Sequence, residues 1–438
     1  MSPSPKFNSL SRRGFLMGAA GVAGIAALGP LLAACSSPAS GEAVTSGKVD
    51  VSVWTNDKNY PAFFRTRAES LSKEGPYDYK VSEVVSSDIW TKALAAYAAK
   101  STVPSLMGIE ISQFSRFMRN NIAEGVFADL SGKMGAPDDA FIAARVDPYR
   151  LNGKIYAMES ATTIATTYKR VDLWDKYSIP ATDTWDDFVK VGGEQNKKNG
   201  IHMGLLGSTD AGIFPNLLFQ RGGQAFDEDG NQTVDSPEAL EVLQLLHDGV
   251  QNGTFALTTD LWGGPGVGMM KSNKIAAFWQ ADWFNPFYLV PNLPEQKGLW
   301  MIENPPVFAG GGFPTSVSGG TGFAVTKDRP ETEATLALLQ DAYGTESGQI
   351  ERFSVLGYLP SLKSAWEVPE VLNKEDAYLG GQKVMDVYKP LSTQLPTQQQ
   401  DLRYSDFLAA ANIAVSDMFA GKLTPKEAQK QIVDKLKK

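Results

Sequence analysis

Histidine and cysteine are nearly missing from this chain: 438 residues hold two histidines, His202 and His247, and one cysteine, Cys35. A metal site built from several histidines is thereby excluded, and a Ser-His-Asp triad has little to draw on. His247 falls on an apolar helical stripe, the usual setting of a packed or surface histidine. A single thiol permits no intrachain disulfide. Positive charge is short as well. Lys and Arg number 41 against 49 Asp and Glu, and the net charge of −8 argues against nucleic acid or anionic lipid as a partner. A phosphate loop is lacking: Gly263 to Ser272 (GGPGVGMMKS) has the glycines, but two methionines precede Lys271 where backbone N–H groups must wrap a phosphate. That segment reads as a flexible connector. Carboxylate pairs for glycoside hydrolysis have no local motif to mark them. No cofactor and no metal are expected.

What is present begins with an address. Ser11-Arg12-Arg13-Gly14-Phe15-Leu16 sets paired arginines before an uncharged run, Leu16 to Ala34, which closes on Leu32-Ala33-Ala34-Cys35. Paired arginines ahead of a weakly apolar stretch resemble a twin-arginine export signal, and small residues before a cysteine resemble a lipoprotein processing site. The run nearly meets the length of a membrane-spanning helix, but its five glycines and prolines and the cysteine at its end favour cleavage over spanning. Residues 1–34 are therefore expected to be a signal peptide. Cys35 is expected to carry the lipid that holds the protein on the outer face of the cell membrane, and a diacylglyceryl thioether with an N-acyl chain holds firmly. Residues 35–47, rich in Ser, Gly and Ala, read as a flexible tether. Removing Lys6, Arg12 and Arg13 with the leader leaves a still more acidic protein.

The remainder is too long for one core and implies two lobes. Val49, Val51 and Val53 alternate with polar residues as in a strand. A helix is expected over Pro61–Lys73, a strand over Tyr79–Val85, and a helix over Ile89–Lys100 with Leu94, Tyr97 and Ala98 on one face. A short strand over Leu106–Ile109 and a helix over Gln113–Ala123 follow. Such alternation predicts an α/β fold with mostly parallel sheets flanked by helices. Ligands of such sheets lie beyond the carboxyl ends of the strands, where Asn56, Asp57 and Glu110 fall. Helix starts are legible further on. Thr184 caps with Asp187 three residues later, Ser236-Pro237 opens a helix lined by Leu240, Leu243, Leu246 and Val250, and Thr424-Pro425-Lys426-Glu427 combines cap, proline and capping box.

Aromatics stand beside polar residues outside the apolar stripes. Trp54 neighbours Asn56 and Asp57, Trp262 precedes the glycine-rich segment, Trp279, Gln280, Asp282 and Trp283 crowd together, and Tyr358 follows Gly357. Sugar rings offer apolar C–H faces and polar edges, so flat aromatics among carboxylates and amides suit them.

The same segments carry a family resemblance. Asn152-Gly153-Lys154-Ile155-Tyr156-Ala157, Thr167 through Trp174, Ile179-Pro180 through Phe188, Lys274 through Trp283, Gly320 through Val325, and Gly357-Tyr358-Leu359-Pro360 resemble, in order, motifs of the extracellular solute-binding proteins of carbohydrate-uptake ABC transporters. The maltose-binding proteins belong to that group. The resemblance covers roughly residues 48–438. It implies a two-lobed periplasmic-binding-protein-like fold with a three-crossing hinge, lobe 1 being 48–160 plus 315–359 and lobe 2 being 161–314 plus 360–438. It implies a carbohydrate ligand in the interlobe cleft, delivery to an ABC permease, no chemistry, and a monomer. By position it implies ligand contacts at Asp57, Lys58, Glu110, Tyr168, Trp283 and Arg403, with Tyr404 facing the cleft; the strand-end and aromatic reading adds Trp54, Asn56, Trp262, Trp279, Asp282 and Tyr358, and Gly320 of its motif completes the expected set. Two departures stand out: Lys169 replaces the usual Asn, and Ala281-Asp282 replaces the Gly-Pro before Trp283. A lipid-anchored glycosidase and a binder of a non-sugar solute such as a polyamine stay open beside this reading.

Overall fold

The computed structural model describes residues 42–437. The expected signal peptide, Cys35 and residues 36–41 of the tether lie outside the described residues, and Gly47 already begins a strand. Among the described residues no helix is long and apolar enough to cross a membrane.

Apart from two small hairpins, the strands of the two lobes are β1 (Gly47–Thr55), β2 (Tyr77–Val85), β3 (Leu106–Glu110), β4 (Met158–Glu159), β5 (Ala165–Arg170), β6 (Gly204–Gly207), β7 (Phe255–Thr258), β8 (Ala277–Ala281), β9 (Trp300–Glu303) and β10 (Thr321–Val325). The first lobe is built on a five-stranded sheet in the order β2-β1-β3-β10-β4. β1 runs parallel to β2 and β3, whereas β10 runs antiparallel to β3 and β4. The valine alternation of β1 does what its period requires: Val49, Val51 and Val53 are buried in one core cluster with Phe63 and Phe64 of the helix Asn59–Glu74. The opposite face is covered by the helices Ile89–Ala98 and Ile111–Met118 through Ile89, Trp90, Phe114 and Phe117. Covered on both faces, Leu106 to Ile109 form the unbroken apolar run of a central strand.

In the second lobe β5 lies between β8 and β9, antiparallel to both, while β6 and β7 form a separate parallel pair. Around them pack the helices Trp185–Asn199, Pro237–Gln251, Tyr404–Phe419 and Pro425–Leu436. Their starts follow the sequence. The Thr184 side chain accepts from Asp187 N at 3.1 Å, Ser236 accepts from Ala239 N, and Thr424 with Glu427 closes a complete capping box.

Three local expectations are corrected. The helix read over Gln113–Ala123 runs Ile111–Met118 and breaks at Asn120 and Asn121, whose φ angles of 52° and 54° are left-handed, before resuming at Ile122. In Ile89–Ala98 the packed face is Ile89, Trp90, Ala93 and Ala96; Leu94 and Tyr97 are half-buried beside it and Ala98 is exposed. The glycine-rich connector is a helix, Gly264–Lys271, started by Pro265 in its first turn.

The lobes are joined by three connecting stretches that hydrogen-bond to one another. The first follows β4, the second precedes β10, and the third follows the helix Glu346–Leu356. Ile164 of the first bridges to Val317 of the second in antiparallel fashion, with Ala165 N on Ser316 O at 2.9 Å and Ser318 N on Thr163 O at 3.0 Å. Thr162 N donates to Leu359 O of the third at 3.1 Å.

Candidate functional site

A cavity of about 680 Å³ opens between the lobes at the carboxyl ends of β1 and β3. From the first lobe it is walled by Asn56, Asp57, Tyr60, Glu110, Ser112, Gln113 and Arg145; from the second by Asp210, Asn216, Trp262, Trp279, Gln280, Trp283, Phe287, Gln398, Tyr404 and Asn412. The connecting stretches add Thr163, Ser318–Thr321 and Tyr358.

One wall is aromatic. The rings of Trp262 and Trp283 lie 5.4 Å apart, and Phe287 meets Trp283 edge-on at 6.0 Å. Trp262 is 37% and Phe287 43% exposed, so large ring faces remain in contact with solvent at the cavity wall. Trp283 is fixed by its indole Nε1–H, which donates to Ser318 O at 2.9 Å.

The polar walls differ in how far their hydrogen bonds are already used. Asp57 is taken up inside the protein: Tyr358 Oη donates to Oδ2 at 2.9 Å and Asn59 N to Oδ1 at 2.9 Å. Arg145 is fully buried, its Nη2 shared between Glu159 Oε2 and Gly319 O, both at 2.8 Å, and its Nε on Ala161 O at 3.2 Å. Arg145 Nη1, Trp279 Nε1 and Gln398 Nε2 have no partner among the described residues. Unpaired donors of this kind are costly unless something accepts from them. Glu110 is pushed up to about 7, mainly by withdrawal from water; a hydrogen bond with Ser112 opposes the shift, and the charges of Asp210 and Glu159 add to it. Gly320, at φ +114°, passes directly over the Arg145–Glu159 pair. A Cβ there would stand 2.0 Å from Arg145 Nη2, so only glycine fits.

Of the residues expected from the sequence, Asn56, Asp57, Glu110, Trp262, Trp279, Trp283, Gly320 and Tyr358 are brought together around this cavity. The other expected contacts are not. Trp54 alternates to the opposite side of β1 from Val53 and packs, half-buried, on the cluster of Ile89 and Phe114. Lys58 is exposed just ahead of the helix Asn59–Glu74. Tyr168 is wholly enclosed, donating to Ala281 O at 3.1 Å beside Tyr388. Asp282 is buried and accepts from Leu359 N. Arg403 pairs with Asp401 at 2.9 Å and lies over the Phe226 ring. Arg145, Asp210, Asn216, Gln398 and Asn412 were not foreseen. Asp210 follows β6, so the strand-end rule applied to the second lobe would have found it; Arg145 lies in the four-residue helix Ala143–Val146, which carries no pattern. Among the described residues no group of His, Cys, Asp and Glu could hold a metal ion.

The model of the bacterial extracellular solute-binding protein family matches residues 66–378. The chain belongs to that family. Among its relatives, the arabinooligosaccharide-binding protein of Bacillus subtilis (strain 168) is 24% identical over 93% of this chain and 96% of its own length. The lactose-binding protein of Rhizobium radiobacter is 25% identical over 84% and 87%. Among solved structures, the GacH receptor of Streptomyces glaucescens, determined unliganded and with acarbose, superposes with a TM-score of 0.73 at 20% identity, covering 89% of this chain and 97% of that one. Maltose-bound MalE3 of T. maritima gives 0.71 at 19% identity, covering 90% and 99%. These likenesses establish the two-lobed solute-binding fold. The relatives and neighbours are binding proteins.

Proposed function

We propose that this solute-binding protein captures an uncharged oligosaccharide in the interlobe cavity and delivers it intact to an ABC permease, while Cys35 anchors it by lipid outside the membrane. The lobes are taken as 48–160 plus 315–359 and 161–314 plus 360–438, and the protein as a monomer. The observation that carries the reading is the aromatic wall of Trp262, Trp283 and Phe287 in one cavity with carboxylates, amides and unpaired donors. Ring faces can stack on the first while hydroxyls exchange hydrogen bonds with the second. The lining argues against an anionic ligand, and the neutrality proposed for the sugar is taken from the names of the relatives. Arg145 is its only Lys or Arg and is already paired with Glu159, whereas Glu110 and Asp210 have no cation facing them, so an anionic sugar would meet repulsion. The names of the relatives, which bind arabino-oligosaccharides and lactose, support the same class.

A second reading has one observation in its favour. Glu110, pushed up to about 7, shares the cavity with Asp210, and a glycosidase uses a pair of carboxyls of which one is held protonated as the acid. Calorimetry against a panel of neutral oligosaccharides, followed by chromatography of the recovered ligand, separates the two. Tight binding with the sugar unchanged is expected; a cleaved product would overturn the receptor reading. For the anchor, Cys35→Ala should release the protein from membranes into the soluble fraction with its affinity intact, and retention through detergent-free washing would refute lipid attachment there.

A further inference from the structure

Asp282, which the sequence placed among the ligand contacts, does something else. Its carboxylate is buried, and Oδ2 accepts from Leu359 N, in the third connecting stretch, at 2.8 Å; Oδ1 has no partner among the described residues. The carbonyl of the same Leu359 accepts from Thr162 N of the first stretch at 3.1 Å and from Arg352 Nη2 at 3.0 Å. Trp283, the next residue, donates to Ser318 O of the second stretch at 2.9 Å and presents its ring to the cavity. Two adjacent residues at the end of β8 therefore grip two different hinge stretches, and one of them carries the surface on which a sugar would stack. The neighbour of Leu359, Tyr358, reaches Asp57 at 2.9 Å in the first lobe.

Resting on the sugar-binding reading above, we propose that Asp282 is a positioning residue that couples occupancy of the Trp283 ring to the hinge: a ring seated on Trp283 fixes the loop, and the Asp282 carboxylate passes that constraint to Leu359 and the third stretch. Asp282 stands in place of the proline that the family resemblance leads one to expect. A proline has no side-chain acceptor, so the coupling through a charged oxygen belongs to this chain.

The charges facing Asp282 are the cations Arg352, from the helix Glu346–Leu356, and Arg145, from the helix Ala143–Val146. The hydroxyls of Tyr168 and Tyr388 also adjoin it, from β5 and the helix Met385–Ser392. Burial outweighs the Leu359 N–H and both arginines and pushes the carboxyl up to about 6. Protonation weakens Oδ2 as an acceptor, so the coupling should fade on acidification.

The test uses the soluble protein and a neutral oligosaccharide shown by calorimetry to bind the wild type. In Asp282→Asn, which keeps the side-chain shape, affinity should fall about tenfold, and the ligand-induced contraction in small-angle scattering should shrink. The wild type should also lose affinity between about pH 7 and pH 5, and Asp282→Asn should lose less, keeping only the part that Glu110 contributes. Glu110→Gln, run beside it, should keep the part that Asp282 contributes and so separates the two carboxyls. If Asp282→Asn contracts as the wild type does and shows the same pH profile, the inference is overturned. If no neutral sugar binds or contracts the wild type, the sugar-binding reading falls instead. A melting temperature measured without ligand identifies a variant that is merely misfolded; in that case Asp282→Glu, which keeps the charge, should restore the pH profile.

Discussion

At the scale of single residues, what decides a role in this cavity is how much of a side chain's hydrogen-bonding capacity the protein has already consumed. Asp57 has each carboxylate oxygen already engaged, by Tyr358 and by Asn59, so part of its role is to hold the wall. Glu110 is less engaged and more strained. Its carboxyl is pushed up to about 7, chiefly by burial, against 4.5 for a free side chain. A raised carboxyl pKa means that the folded form disfavours the ionised group. The protein then has its full stability below about pH 4.5 with respect to this residue and loses some as pH rises through about 7. Glu110→Gln abolishes the titration. The ligand-free variant should therefore melt higher than the wild type at pH 8 by the equivalent of roughly 1–3 kcal/mol, with the gap closing towards pH 4.5. Melting curves across that range check it, and a gap that stays constant with pH would show that Glu110 titrates normally.

At the scale of elements, the sequence is most readable where one local rule decides the structure. The three valines of β1 can only alternate, and they are buried in a single cluster. The caps at Thr184, Ser236 and Thr424 depend on one side chain and one nearby N–H, and each forms as read. Legibility fails where two rules compete. Gly263 to Ser272 looks like a loop by glycine content, yet Pro265 sets the first turn and Met270 is buried in the second-lobe core, so tertiary burial overrides the weak propensity. The break at Asn120 and Asn121 lay inside an otherwise helical pattern, and left-handed asparagines leave little trace in periodicity. The candidate site was partly legible for the same reason. Strand-end acids and aromatic clusters are local signals, and they found Asn56, Asp57, Glu110, Trp262, Trp279 and Trp283. Arg145 and Gln398 come to the cavity only through tertiary packing, and no spacing announces that. Tyr168 and Asp282 show the converse: placed close to the site by sequence, they were drawn inward to hold β8 and the hinge.

At the scale of the whole molecule, the lobes also touch away from the hinge. Arg119, after the helix Ile111–Met118 of the first lobe, donates to Leu402 O at 2.8 Å and pairs with Asp406 at 2.7 Å in the second lobe. Beside it Gln400 Nε2 donates to Ile111 O at 2.9 Å and Ser405 N to Ser115 Oγ at 3.2 Å. Opening about the three connecting stretches would separate these partners, because they belong to different lobes and lie outside the hinge. The contact therefore favours the closed arrangement. Its strength is limited: Arg119 and Asp406 are 40% and 55% exposed, and ion pairs so wet contribute up to about 1 kcal/mol. A bias of that size would matter if the lobes close on the ligand, since affinity then scales with the fraction of molecules able to close. Arg119→Ala should consequently weaken sugar binding by up to about fivefold, although Arg119 does not line the cavity. High salt should weaken the wild type towards the same value and change the variant little. Scattering from the ligand-free variant should show a larger average dimension than the wild type. Should Arg119→Ala leave both the ligand-free dimension and the affinity unchanged, the interlobe contact would be a passive surface pair and closure would be governed by the hinge and the ligand alone.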